Sequence, residues 1–155
     1  MAASIAQLFF DKHIIPTVRE WEESPLEPHR AMTAAVNLNQ MADHFFYEFQ
    51  ADSVKVLGAS NVKEFRDALA ASTPEFGLIN DVADAHKHFK LNRSNRKITY
   101  ASQATTGSMG WGEAAYGEGQ WGSPPEIVVV FDDGQKHHFS TAVKKITDMW
   151  KCRLP

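Results

Sequence analysis

Apolar residues recur at spacings of three and four through the first 92 residues, which is the period expected of helices with one buried face. This pattern predicts helices over residues 3–24, 27–51, 61–72 and 74–89. Pro16 should kink or restart the first of them, because proline lacks the N–H group that a helix interior requires. The last should bury a stripe formed by Phe76, Ile79, Val82, Ala83, His86 and Phe89.

The pattern changes after residue 92, where β-branched residues become frequent. Residues 97–102 and 126–131 are predicted strands, and residues 135–139 should return as a partner strand. Asp132-Asp133-Gly134 lies between the last two and predicts a hairpin turn, because Asp-Gly is a favoured hairpin dipeptide. Ser140 or Thr141 should cap a final helix.

Together these elements predict an α+β fold within a single domain, residues 1–155. Residues 1–92 should form a mostly helical antiparallel bundle. Residues 93–155 should form a small C-terminal antiparallel β-sheet with a Gly-rich loop and a closing helix. A chain of 155 residues is the size of one domain and buries roughly 70% of its unfolded surface, so it needs neither a disulfide nor a metal to fold.

Charge and cysteine content narrow the class of protein. The formal charge is −3, which argues against a general nucleic-acid coat but leaves room for a local basic patch. Cys152 is the only cysteine, so no internal disulfide can form, and a reducing compartment is favoured. No apolar run approaches the ~20 residues that cross a bilayer. We therefore expect a cytoplasmic protein with no membrane partner.

Two histidines and two carboxylates suggest a metal site. His44 and Glu48 are four residues apart, as are Asp84 and His88, so each pair shares a helix face. If their helices pack antiparallel, the four side chains can meet and form a ligand set suited to zinc or iron. The alternative is that they are exposed positions that make only local pairs.

A second candidate is the basic segment over residues 87–97, which contains no acid. Its basic residues are Lys87, Lys90, Arg93, Arg96 and Lys97. Such a segment can hold phosphates, as RNA binding requires. The alternative is structural: Lys87 and Lys90 lie where the helix ends and complement its negative C-terminus.

The stretch 79–91 resembles the end of the long helix in HEPN-type helical domains. Asp84-Ala85-His86-Lys87-His88 fits the last five positions of the motif of that superfamily, which is an Arg, then Asn or Asp, three residues and a His. Ala83 occupies the position of the motif arginine. The resemblance covers about 13 residues and implies a helical domain. Because many members are RNases, it also implies catalytic roles for His88 and Asp84, with an arginine from elsewhere.

A third candidate is the Gly-rich loop between the predicted strands, which contains Trp111 and Trp121. Glycine lets a backbone approach a ligand closely, and tryptophan offers a stacking face for bases or sugars. The loop lacks the spacing of dinucleotide and phosphate loops, so these two residues are binding candidates without a named ligand. The alternative is that they pack over the helices.

Three functions remain open. The sequence favours a non-catalytic, HEPN-like binding or regulatory module that contacts RNA or another protein, needs no cofactor and can form a homodimer. The second is an RNase of a toxin or defence system that uses His88. The third is a helical bundle that binds a divalent metal. The first is favoured because no segment carries a complete catalytic signature.

Overall fold

The structure is a computed structural model, and it describes residues 2–92, 95–107 and 125–155. The α-helices are α1 (Ile5–Phe9), α2 (Ile15–Glu23), α3 (Pro28–Phe49), α4 (Val62–Ser72), α5 (Pro74–Lys87) and α6 (Phe139–Arg153). The strands are β1 (Ala104–Gly107), β2 (Glu126–Val130) and β3 (Lys136–His138). The predicted α+β class is therefore confirmed.

The first predicted helix, over residues 3–24, is divided into α1 and α2 close to Pro16. Ser4 caps α1 by accepting a hydrogen bond from the Gln7 N–H at 3.0 Å. A π-helical turn over Phe10–Ile14 follows, and α2 then begins with Pro16 in its first turn, where no intrahelical N–H is needed. Pro16 thus restarts the helix.

Helix α3 is the centre of the bundle and buries Ala31, Ala34, Ala35 and Leu38 completely or nearly so. Helices α2, α4, α5 and α6 all pack against it. The small side chains near its start allow close approach, and Phe45 near its end fills a wider space. Within the described ranges, no helix combines the length and apolar character that crossing a bilayer requires.

The sheet has the order β1-β2-β3, and both pairs are antiparallel. The predicted strand over 97–102 is wrong: residues 101–103 form a 3₁₀ turn, and β1 begins at Ala104. The side-chain carbonyl of Gln103 explains the difference, because it accepts the N–H groups of Thr99 and Tyr100, each at 2.7 Å. Those two donors are used inside the turn and are lost to a strand pair.

The closing helix α6 completes the core of the bundle. The Trp150 side chain is fully buried, contacts Phe45 and Phe76, and donates its Nε1–H to the Leu38 carbonyl at 3.3 Å. The predicted cap is wrong, since α6 starts at Phe139 and the Ser140 hydroxyl instead donates to the Glu126 carboxylate at 3.1 Å. This bond links α6 to β2.

Helix α5 ends two residues earlier than its apolar pattern predicts. His88 already has an extended backbone, with φ −126° and ψ 140°, so the chain leaves the helix there. His86 is exposed, and the ring of Phe89 is 92% exposed. Their predicted place in the buried stripe is therefore wrong, and an aromatic ring is presented to solvent.

Candidate functional site

A buried arginine fastens the segment after α5 back onto that helix. The Nη1 of Arg96 donates to Asp81 Oδ1 at 2.5 Å, and its Nη2 donates to Asp84 Oδ2. The side chains of Arg96 and Asp81 are only 7% and 6% exposed. We call this group of three residues the arginine clamp. Through this clamp, Asp81 on α5 binds a residue that lies fifteen positions later in the sequence.

Burial and pairing have opposite effects on the pKa of Asp81 in the clamp. Burial raises the pKa of the Asp81 carboxyl above its ordinary value, although the Lys97 N–H and the Arg96 guanidinium both favour its charged form. The Lys97 N–H lies 2.7 Å from Asp81 Oδ2. One guanidinium is therefore shared by two neighbouring carboxylates, so the clamp remains negative overall when both are ionised, and the guanidinium is not free to attract an external anion.

Backbone hydrogen bonds close the segment into a loop. The Leu91 N–H donates to the Thr99 carbonyl at 2.9 Å, and the Asp132 N–H donates to the Lys97 carbonyl at 2.8 Å. The Thr99 hydroxyl also donates to Asp132 Oδ2 at 2.9 Å. We call residues 88–100 the anchored loop, because these bonds and the arginine clamp fix both its ends.

Two aromatic rings and three lysines are exposed at the base of this loop. The Phe89 and Tyr100 rings lie 6.2 Å apart between centroids at an angle of 73°, and Tyr100 is 40% exposed. Lys87, Lys90 and Lys97 are exposed within three residues of one or the other ring. We call these five residues the aromatic–basic surface. Positive charge and an accessible ring face are thus combined on one part of the molecule.

A groove of about 1430 Å³ lies beside the anchored loop. His88, Asn92 and Asn95 line the end nearest the loop. The lining also includes Asp43 and Arg66, whose side chains form an ion pair at 2.5 Å, and the three residues of the arginine clamp. The groove therefore combines paired charges with exposed polar side chains of the anchored loop.

The predicted metal ligands are not brought together. The His44 ring stacks on Phe9 with centroids 3.7 Å apart. The Glu48 carboxylate accepts the N–H groups of Ile5 and Ala6, at 3.0 and 2.5 Å, and so anchors the start of α1. Within residues 2–92, 95–107 and 125–155, no three histidine, cysteine or acidic residues cluster as metal ligands would.

The predicted catalytic pair, His88 and Asp84, does not form a base with an orienting acid. The Asp84 carboxylate is bound to Arg96 in the clamp. The exposed His88 side chain makes no hydrogen bond or ion pair with any part of the chain that the structure describes. A general base requires a positioned imidazole, and nothing in the described geometry positions this one.

The predicted binding residues divide into three groups. Lys87, Lys90 and Lys97 are exposed, as phosphate contacts must be. Arg96 is buried in the clamp, where its role is structural. Arg93, Trp111 and Trp121 lie outside the described residues. The exposed pair of Phe89 and Tyr100 was missed, although an aromatic residue within a wholly basic segment was a signal for it.

Comparison of the chain with protein-family models, with curated proteins and with solved structures finds no match. The resemblance to HEPN-type domains therefore stays a prediction, and the function rests on the geometry of the site.

Proposed function

We propose that this protein is a non-catalytic module that binds single-stranded nucleic acid through the aromatic–basic surface. The observation that carries the proposal is the Phe89 ring, which is 92% exposed, contacts Tyr100 and is flanked by Lys87 and Lys90. A single exposed apolar side chain needs no explanation, but two neighbouring exposed rings beside three lysines indicate a functional reason for their exposure.

Unpaired bases supply that reason. A base that stacks on an aromatic side chain contributes about 1–3 kcal/mol to binding, and every base has a face to stack. The three lysines meet the phosphates on either side of the stacked base, and no acid occurs between residues 85 and 100 to oppose them. A duplex hides its base faces, and so the surface favours single strands.

The arginine clamp prepares the surface before the ligand arrives. Because Arg96 pairs with both Asp81 and Asp84, it reduces the repulsion that these two carboxylates exert on phosphate. Because the Leu91 N–H bonds to the Thr99 carbonyl, the backbone beside Phe89 and Tyr100 is held in place before the strand binds. The overall charge of −3 gives the protein no general attraction for nucleic acid, so binding depends on a local basic surface such as this one.

Binding without cleavage is the form of activity that the site supports. The His88 side chain has no orienting partner in the described chain, so the geometry favours retention of the strand. RNA in the cytoplasm is the first ligand to test, and DNA of the same sequence is the second. The HEPN-like resemblance remains consistent with a helical RNA-binding module.

Fluorescence anisotropy with labelled oligonucleotides of equal length tests the proposal. We expect the unaltered protein to bind single-stranded RNA or DNA more tightly than duplex, and Phe89→Ala to weaken binding roughly 5- to 150-fold, the equivalent of one stacked base. Tyr47→Ala is the matched control, since Tyr47 is also an exposed aromatic residue but lies on α3. It should leave binding unchanged.

The salt dependence of the same binding tests the lysines. Lys87→Gln with Lys90→Gln should reduce the slope of log affinity against log salt by about 1.4, which is about 0.7 for each phosphate contact on a single strand. An equal loss of oligonucleotide affinity in Phe89→Ala and Tyr47→Ala would contradict the proposal. A second contradicting result would be a protein that binds no oligonucleotide and forms a homodimer that Phe89→Ala dissociates. The Phe89 ring would then be a subunit contact.

A further inference from the structure

The two rings of the aromatic–basic surface are nearly perpendicular. Their planes meet at 73° with 6.2 Å between centroids, an edge-to-face arrangement that aromatic pairs favour over a face-to-face sandwich. Phe89 is 92% exposed and Tyr100 is 40% exposed, so both side chains present surface to solvent. The surface therefore offers two stacking platforms that differ in direction.

Separate parts of the fold hold the two platforms. Phe89 lies two residues beyond the end of α5. The Tyr100 N–H donates to the side-chain carbonyl of Gln103 at 2.7 Å, and the Gln103 amide in turn donates to the Val130 carbonyl of β2 at 2.9 Å. One platform thus extends from the helical bundle and the other from the sheet.

A continuous stack of bases cannot cover both rings. Neighbouring bases in a stacked strand are parallel, with about 3.4 Å between them along the axis. A base that stacks on an aromatic ring is parallel to that ring. A base on Phe89 and a base on Tyr100 are therefore inclined to each other by about the 73° between the rings, and their mutual stacking is lost.

We propose that this surface selects single strands whose bases are weakly stacked, so that runs of uracil are preferred over runs of adenine. The inference rests on the proposed function and specifies its substrate class. A run of adenines is already stacked before it binds, and it gives up a base–base contact in order to reach both rings. A run of uracils has little stacking to lose. The preference then comes from the stiffness of the strand, and hydrogen bonds to the base edges are not needed.

The larger face of adenine acts in the opposite direction. It increases the contact of a base with Phe89, and this gain is present whether or not Tyr100 takes a second base. The loss of stacking between bases occurs only when both rings are occupied. Removing the Tyr100 ring therefore isolates the cost of unstacking, because the strand can then stay stacked while one base contacts Phe89.

The test compares the affinities of the full chain for oligo-U and oligo-A of equal length. The unaltered protein should prefer oligo-U. In Tyr100→Leu, which keeps an apolar side chain without an aromatic face, the ratio of oligo-U to oligo-A affinity should fall roughly 3- to 10-fold, because one single-strand step is worth less than a duplex stacking step. Tyr100→Phe is the matched control, since it retains the ring and should retain the ratio. Thermal unfolding should show that both variants remain folded.

A spectroscopic measurement reports the unstacking and needs no variant. Two adjacent 2-aminopurine bases in a short single strand give a circular-dichroism band beyond the absorption of the protein and of the ordinary bases. This band depends on stacking between the two bases. It should weaken when the unaltered protein saturates the probe, and it should persist when Tyr100→Leu does so.

Three results would overturn the inference. One is a preference of the unaltered protein for oligo-A, and another is a ratio that Tyr100→Leu leaves unchanged. The third is a stacking band that survives saturation with the unaltered protein. All three leave the proposed function intact while Phe89→Ala still weakens the binding of single strands. A complete absence of oligonucleotide binding by the unaltered protein would overturn both proposals.

Discussion

Two groups of aromatic side chains in this molecule share their chemistry and differ in their surroundings. Phe45, Phe65 and Trp150 lie against one another inside the bundle and are at most 1% exposed. Phe89 and Tyr100 contact each other and are 92% and 40% exposed. The first group stabilises the fold, and the second contributes surface that only a ligand or a partner can cover.

Two ion-paired groups of this molecule also differ in burial. The arginine clamp is buried, so breaking it leaves carboxylates without water or a counter-charge. The pair of Asp43 and Arg66 is partly exposed, and solvent can replace either partner. Burial therefore decides which of two similar contacts matters to stability, and the following variants test that difference.

Phe45→Ala should have the largest effect. It removes a ring from the centre of the bundle and leaves a cavity between α3, α4 and α6, which costs about 3–5 kcal/mol of unfolding free energy. Urea unfolding followed by circular dichroism measures the loss. A loss below about 1 kcal/mol would mean that the buried rings do not form the close-packed core described here.

Arg96→Met should follow, at about 3 kcal/mol, because the Asp81 and Asp84 carboxylates lose the cation with which both are paired. Methionine keeps much of the side-chain volume and removes the charge. Arg66→Met is the matched control and should cost less than about 1 kcal/mol, since its pair is partly exposed. Similar losses in the two variants would contradict the distinction between buried and exposed pairs.

Glu75→Gln should have a smaller effect that depends on pH. Burial is the largest single influence and raises the pKa of Glu75, but the Lys145 hydrogen bond, a backbone hydrogen bond and the charges of Lys145 and His137 together outweigh it, so the pKa lies below the ordinary value of 4.5. A lowered pKa contributes stability that is present above pH 4.5 and is lost as pH falls through the folded-state value.

The unaltered protein should therefore exceed Glu75→Gln in unfolding free energy by about 0.5 kcal/mol at neutral pH, with screening by solvent keeping the value small. The difference should vanish in acid. Urea unfolding at pH 7 and at pH 3 measures both, and a difference that grows on acidification would reverse the sign of the assigned pKa shift.

Phe89→Ala should have the smallest effect on stability, within about 0.5 kcal/mol, because its ring is already in water. Thermal unfolding compared with that of Phe45→Ala gives the sharpest contrast between the two aromatic groups. A loss of several kcal/mol would show that the Phe89 ring packs inside the protein in solution, and the stacking surface would then not exist.

Local signals in the sequence correctly predicted where α4, α5 and β2 begin. Asn61 caps α4 by accepting the Glu64 N–H at 2.9 Å, as its spacing indicated, and Pro74 begins α5. The strand over Glu126–Val130 follows from its run of β-branched residues. These features depend on neighbours within four residues, which is the range that a sequence pattern describes.

Features that depend on distant contacts were not predictable in the same way. The apolar spacing continued through Phe89, but the helix ends at Lys87, where the chain turns back to bond with residues 97–100. Arg96 looked like a phosphate ligand because its carboxylate partners lie twelve and fifteen positions earlier in the chain. The Glu48 carboxylate likewise serves backbone groups more than forty residues away.

The buried Trp150 has a consequence for synthesis of the chain on the ribosome. Its contacts with Leu38, Phe45 and Phe76 join the last helix to the middle of the first half. Until α6 has left the exit tunnel, the nascent bundle exposes the apolar site that this indole will fill. Productive folding is thus delayed until α6 has emerged from the ribosome, and over that interval the growing polypeptide is a natural client for a chaperone.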